Sequence, residues 1–99
     1  MKMRGPVKRH ARFWVYIARC ADGTYYTGYT NDLQERLRLH NSGHGAKFLR
    51  GKGSANLVYA KQYRYYKNAV RAERYLKRQT RKYKEELIKV YESRSIASR

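Results

Sequence analysis

The sequence predicts an α+β fold, a small three-stranded antiparallel sheet flanked by helices. Three observations carry that expectation. Arg12 to Cys20 (RFWVYIARC) and Thr24 to Thr30 (TYYTGYT) are rich in β-branched and aromatic residues and are joined by Ala21-Asp22-Gly23, the pattern of a β-hairpin. A third stretch of the same character, LVYAKQYRYY, lies within Asn56 to Tyr66. Between and after these strands, apolar residues recur at helical spacing behind residues that cap helices. With 99 residues the chain holds one domain and one modest core, and no internal repeat is visible.

Taken in order, Met1 to Ala11 carries five basic side chains, counting His10, and a Gly-Pro pair; it reads as a mobile basic arm ahead of a domain spanning residues 12–92. The hairpin admits two registers. A two-residue Asp-Gly turn pairs Tyr16 with Tyr29, whereas a three-residue Ala-Asp-Gly loop with a bulge brings Tyr16, Ala18, Tyr26 and Gly28 onto one face. Asp32-Leu-Gln-Glu35 has the spacing of a capping box, and Leu33, Leu37 and Leu39 follow before Asn41-Ser-Gly43 ends the segment, so a short helix is expected. Arg36 and His40 then share a face, four residues apart. His44 to Ser54 (HGAKFLRGKGS) is a Gly-rich basic loop, either a close approach to phosphate or a plain connector. Asn68 is placed as the cap of a helix reaching about Gln79, with Ala69, Ala72, Glu73 and Leu76 along one stripe. Thr80 is placed as the cap of a last helix through Tyr91, whose apolar face is Tyr83, Leu87, Ile88 and Tyr91. Residues 93–99 read as a frayed polar tail.

The formal charge of +17, from 24 Lys and Arg against 7 Asp and Glu, exceeds what solubility requires and calls for a polyanionic partner. Nucleic acid fits, because each phosphate neutralised by a cation releases condensed counterions. A membrane span does not: the longest apolar run, Phe13 to Ala18, is far short of the roughly 20 residues needed. One cysteine, Cys20, forms no internal disulfide; no zinc-type Cys and His spacing is present, and a reducing cytoplasm is the expected setting. Cys20 closes an apolar run, as a small buried side chain does.

Trp14-Val15-Tyr16 and the following Tyr26-Thr27-Gly28 resemble the paired tripeptides of the GIY-YIG nuclease superfamily. Arg36 falls where that family has its helix arginine, His40 where several members have histidine, and Glu73 in AERYLK resembles the family's metal-binding glutamate. The likeness runs from about Phe13 to Lys77 and is nearest to the small stand-alone bacterial branch (YhbQ-like), which the loop from Gly45 to Gly53 also resembles. Trp14 stands where the first tripeptide has glycine, Tyr29 where some members have lysine or serine, and no counterpart of a late asparagine is evident.

The resemblance implies a divalent-metal-dependent endonuclease of low sequence specificity, with DNA repair or processing as the setting. Phosphodiester hydrolysis needs an activated water, compensation for charge on the phosphorane, and help for the leaving oxygen. On that reading Glu73 holds one Mg²⁺ or Mn²⁺, Arg36 faces the phosphate, Tyr16 or Tyr26 orients and deprotonates water, and His40 assists. Cations nearby favour the phenolate that such a base requires. Each residue also has an ordinary explanation: Tyr16 and Tyr26 as half-buried sheet tyrosines, Arg36 on a solvated face, Glu73 in an ion pair with Arg36 or Lys77, and His10, His40 and His44 as surface residues. Lys47, Arg50, Lys52, Arg64, Arg71, Arg74 and Lys77, interleaved with tyrosines, are the expected grip on nucleic acid, DNA ahead of RNA. The competing expectation is a basic nucleic-acid-binding module without turnover.

Overall fold

The computed structural model describes residues 12–42 and 53–97. The basic arm, His10, His44, Lys47, Arg50 and Lys52 lie outside the described residues, and so does most of the Gly-rich loop. Three strands, β1 (Phe13–Cys20), β2 (Tyr25–Thr30) and β3 (Ala55–Tyr63), form one sheet in the order β2-β1-β3, with both neighbours of β1 antiparallel to it. Helix α1 (Leu33–Asn41) follows the hairpin, and α2 (Tyr66–Lys77) and α3 (Arg81–Ala97) follow β3. The expected α+β architecture is the observed one.

The hairpin adopts the three-residue loop. Cys20 N donates to Thr24 O at 2.8 Å, Gly23 N donates to Cys20 O at 2.9 Å, and Gly23 has φ +90, a value that a side chain would resist. Thr24 N donates to Asp22 Oδ1, which fixes the turn from within. The consequence is a register that pairs Tyr16 with Gly28 and Ala18 with Tyr26.

Alternation along β1 then divides the core. Val15 and Ile17 join Val58, Ala69, Leu76 and Ile88 under α2 and α3, while Tyr16, Ala18, Cys20 and Ala55 form a second cluster that Leu33 and Leu37 of α1 cover. Cys20 is buried and forms no disulfide, as its apolar setting predicts. A register shift in the β1–β3 pairing lies between Ile17 and Ala18.

The helices begin and end partly as expected. Asp32 caps α1 by accepting from Glu35 N at 3.1 Å. Thr80 Oγ1 accepts from Tyr83 N at the start of α3. Asn68, by contrast, is not a cap: α2 starts two residues earlier behind the extended Tyr65, and no side chain caps it. Helix α3 continues to Ala97, past the Tyr91 that the apolar stripe marks as its end. Among the described residues, no helix is long and apolar enough to cross a membrane.

Candidate active site

A cavity of about 420 Å³ opens at the β2 edge of the sheet and draws on both faces. From the α1 side come Tyr16, Tyr26, Gly28 and Arg36; from the α2 side come Phe13, Tyr29, Tyr66 and Glu73. Four of the five predicted catalytic residues therefore line one space, although they span strand, strand, helix and helix. The fifth, His40, sits directly behind it.

Gly28 makes this geometry possible. A Cβ there would stand 2.8 Å from Tyr16 Oη and 2.9 Å from Tyr26 Cε2, closer than carbon tolerates, so the bare glycine is what lets the two phenols close over β2. The rings of Tyr16, Tyr26 and His40 pack together, with Tyr26 edge-on to His40 at 5.5 Å between centroids.

Tyr16 is 1% exposed and its hydroxyl lies 3.2 Å from His40 Nε2, itself on a residue only 5% exposed. Burial corrects the expectation that His40 is a surface residue. Burial also holds the His40 imidazole below its usual value, and the neighbouring Arg36 charge acts in the same direction. In the tautomer that carries its proton on Nδ1, the imidazole accepts at Nε2 and the phenol O–H of Tyr16 is the donor. The Tyr16 phenol is pushed well above the usual tyrosine value, first by burial and then by Tyr26, with Glu73 adding to the rise and only Arg36 opposing it. The expectation that nearby cations hold a phenolate here is thus overturned for the protein alone: desolvation outweighs the single guanidinium.

Glu73 is 9% exposed and its Oε2 lies 2.8 Å from Lys77 Nζ. Of the ion-pair partners weighed for Glu73, Lys77 is the one realised. The Arg36 backbone N–H donates to Asp32 O, but its side chain has no hydrogen-bond or ion-pair partner among the described residues. Its guanidinium is left to the cavity, where it acts on Tyr16, Tyr29 and His40. Among the described residues, no three His, Cys, Asp or Glu side chains gather as a ligand set. One carboxylate beside phenolic oxygens does not encase a metal, but it fits a hard cation that keeps most of its water.

The cavity also holds aromatic residues outside the predicted catalytic set. Tyr29 Oη and Tyr66 Oη are 3.3 Å apart, and Phe13 stacks edge-on against Tyr66 at 5.7 Å. Tyr29 follows Gly28 directly, and its position in the strand was the one available signal. The expected grip residues scatter. Arg64, Arg74 and Arg71 are exposed, Arg71 lines a different cavity on the far side of α2, and Lys77 is engaged with Glu73.

A family model for the GIY-YIG catalytic domain matches residues 12–86. The chain belongs to the GIY-YIG family, a superfamily of nucleases. That match takes in all five candidate catalytic residues and the whole sheet. A UPF0213 protein of Streptococcus pneumoniae is 41% identical over 85 residues, 86% of each chain. Two solution structures share the fold: the UPF0213 protein BH0048 of Bacillus halodurans, with 40% identity, TM-score 0.53 and coverage of 80% of this chain and 84% of that one, and the protein EF2693 of E. faecalis, with 34% identity, TM-score 0.58 and coverage of 82% and 86%. Membership in the GIY-YIG family and the small bacterial relatives agree with the resemblance drawn from the tripeptides.

Proposed function

We propose that this chain is a divalent-metal-dependent endonuclease that hydrolyses phosphodiester bonds, DNA ahead of RNA, with low sequence specificity, in a cytoplasmic role in DNA repair or processing. The observation that supports it is the convergence of Tyr16, Tyr26, Arg36 and Glu73 on one cavity in a chain of charge +17. A phosphate entering that space meets a guanidinium whose side chain has no ion-pair partner among the described residues, which suits charge that grows on the phosphorane oxygens.

Tyr16 and His40 act as a relay on this reading. Water gives its proton to Tyr16 Oη while the Tyr16 hydroxyl proton passes along the existing hydrogen bond to neutral His40 Nε2, so that no free phenolate has to form. Tyr26 supplies the second hydroxyl that fixes the water or the phosphate. Glu73 would hold a hydrated Mg²⁺ or Mn²⁺, which supplies positive charge next to the phosphate when bound. Lys77 must release the carboxylate first, and its ammonium is then free to reach a phosphate oxygen.

The Lys77–Glu73 ion pair favours one second reading, a nucleic-acid-binding module in which the carboxylate is permanently neutralised. Plasmid nicking separates the two. Supercoiled DNA incubated with protein and Mg²⁺ or Mn²⁺ is expected to be nicked, with loss of nicking in chelator and on Glu73→Ala or Arg36→Ala. Nicking by Glu73→Ala equal to wild type discards the metal assignment, and no cleavage of DNA or RNA under any condition leaves the binding module.

A further inference from the structure

A larger cavity, about 520 Å³, lies on the other side of α2 from Glu73. Its walls are Tyr59, Lys61 and Tyr63 from β3, Arg71 and Tyr75 from α2, and Tyr83 from α3, over a floor of aliphatic core residues. No acidic side chain is among its described lining residues, unlike the candidate active site. Two of its rings stand in solvent: Tyr75 is 53% exposed and Tyr83 38%, set edge-on to each other at 6.2 Å. Lys61 Nζ lies 5.5 Å from the centre of the Tyr63 ring.

Rings that stay wet around a cavity contribute less to folding than they would buried, so their use lies elsewhere. Aromatic faces interleaved with cations and no carboxylates are the chemistry that stacks nucleobases and neutralises the phosphates between them. The volume lies within the range of roughly 300–1,000 Å³ that small-molecule sites occupy, ample for a nucleotide. Helical periodicity also supplies a route between the cavities. Tyr66, Glu73 and Lys77 share the face of α2 toward the active site, Arg71 and Tyr75 face the second cavity, and the exposed Lys67, Arg74 and Arg78 lie on the crest between.

We propose that this second cavity binds unpaired nucleotides of the substrate, with the tyrosine rings stacking on bases and Lys61 and Arg71 on phosphates. The proposal rests on the nuclease reading and narrows it: the preferred substrate carries a single-stranded segment beside the bond that is cut. A strand lying across the α2 crest reaches both cavities at once.

Fluorescence anisotropy in chelator tests it without turnover. The probes are a short labelled oligothymidylate and a blunt duplex; the proteins are wild type and the Tyr75→Leu/Tyr83→Leu double variant, with circular dichroism to confirm the fold. Loss of two stacking rings is expected to weaken oligothymidylate binding by about tenfold or more, while duplex binding stays nearly unchanged. Wild-type affinity for oligothymidylate in the double variant overturns the cavity assignment but leaves the nuclease reading intact. Failure of the wild-type protein to bind either probe overturns both. As a measurement that needs no variant, photocrosslinking with an iodouracil-bearing oligothymidylate is expected to mark Tyr75 or Tyr83, and adducts confined to other residues overturn the proposal.

Discussion

The two faces of β1 are built from the same eight residues and put to opposite uses. Val15 and Ile17 point into an apolar cluster under α2 and α3. Tyr16 points the other way, into a cluster whose polar members, Tyr16 and the adjacent His40, are satisfied by each other. The long helices cover the first face; the nine-residue α1 covers the second and buries a histidine. Leu33 and Leu37 of this helix pack on the second cluster, and the same helix places Arg36 at the cavity and His40 against Tyr16. On the proposed reading one face serves chiefly stability, while the other presents the two phenols and the guanidinium to the cavity.

The sharpest way to break that comparison is to alter neighbouring residues on β1. Ile17→Ala is expected to cost about 2–5 kcal/mol, since the fully buried side chain leaves a cavity in the apolar cluster. Thermal unfolding should then shift down by more than about 10 °C. Tyr16→Phe keeps the ring and removes one hydroxyl, so stability should fall by only about 1 kcal/mol, but cleavage should drop by about 10²–10⁴-fold. A Tyr16→Phe variant with wild-type cleavage, or one that unfolds as Ile17→Ala does, ends the division of labour.

Gly28→Ala probes the place where the two faces meet. The added methyl would meet Tyr16 Oη and Tyr26 Cε2 below 3.0 Å, and Tyr16 is too deeply buried to move aside freely. Cleavage is expected to fall by up to about 10²-fold, because displacement of reacting groups by about 1 Å costs that much. Overpacking should cost about 1–3 kcal/mol of stability. Adding Tyr16→Phe removes the nearest clashing atom, so the double variant should recover part of that loss; purely additive stabilities would place the clash elsewhere.

These tests touch residues that differ in how legible they were. The strands and the set Tyr16, Tyr26, Arg36 and Glu73 were readable because residue type and chain order persist whatever the exact register. The register itself was not, since Asp22-Gly23 suits two loops, both with a left-handed glycine, and only the pairing of Cys20 with Thr24 selects one. The start of α2 was misplaced because Asn68 looks like a cap, whereas the extended Tyr65 ends the strand connection without a side-chain cap. The burial of His40 was not legible, because it follows from the long-range contact with Tyr16, 24 positions earlier. Burial also reversed the reasoning about the phenolate, because charge counting along a sequence carries no desolvation.

His40 gives the comparison a pH axis. Its folded value lies below the ordinary 6.5, so the unfolded chain takes up the proton first as pH falls. Stability is therefore complete above about 6.5 and declines as the solution is acidified toward the folded value. His40→Gln offers Tyr16 an acceptor that does not titrate, and thermal melts from neutral to mildly acid pH should show a shallower slope for this variant than for wild type. Identical slopes would mean that groups other than His40 set the acid sensitivity.

The smallest expected effect lies on the apolar face, where one polar atom breaks the pattern. Thr27 pairs with Ile17 and is 4% exposed, and among the described residues its Oγ1 is the buried side-chain atom that has no hydrogen-bond partner. A buried hydroxyl without a partner carries its full desolvation cost. Thr27→Val replaces it with a methyl of nearly the same size and should stabilise the protein by about 1 kcal/mol, read as a melting temperature higher by about 4–8 °C. Thr27 lies between Tyr26 and Gly28 but points to the other face, so cleavage should not change. A destabilised Thr27→Val would show that the hydroxyl has a partner in solution, and a change in cleavage would show that the two faces of the sheet are coupled through β2.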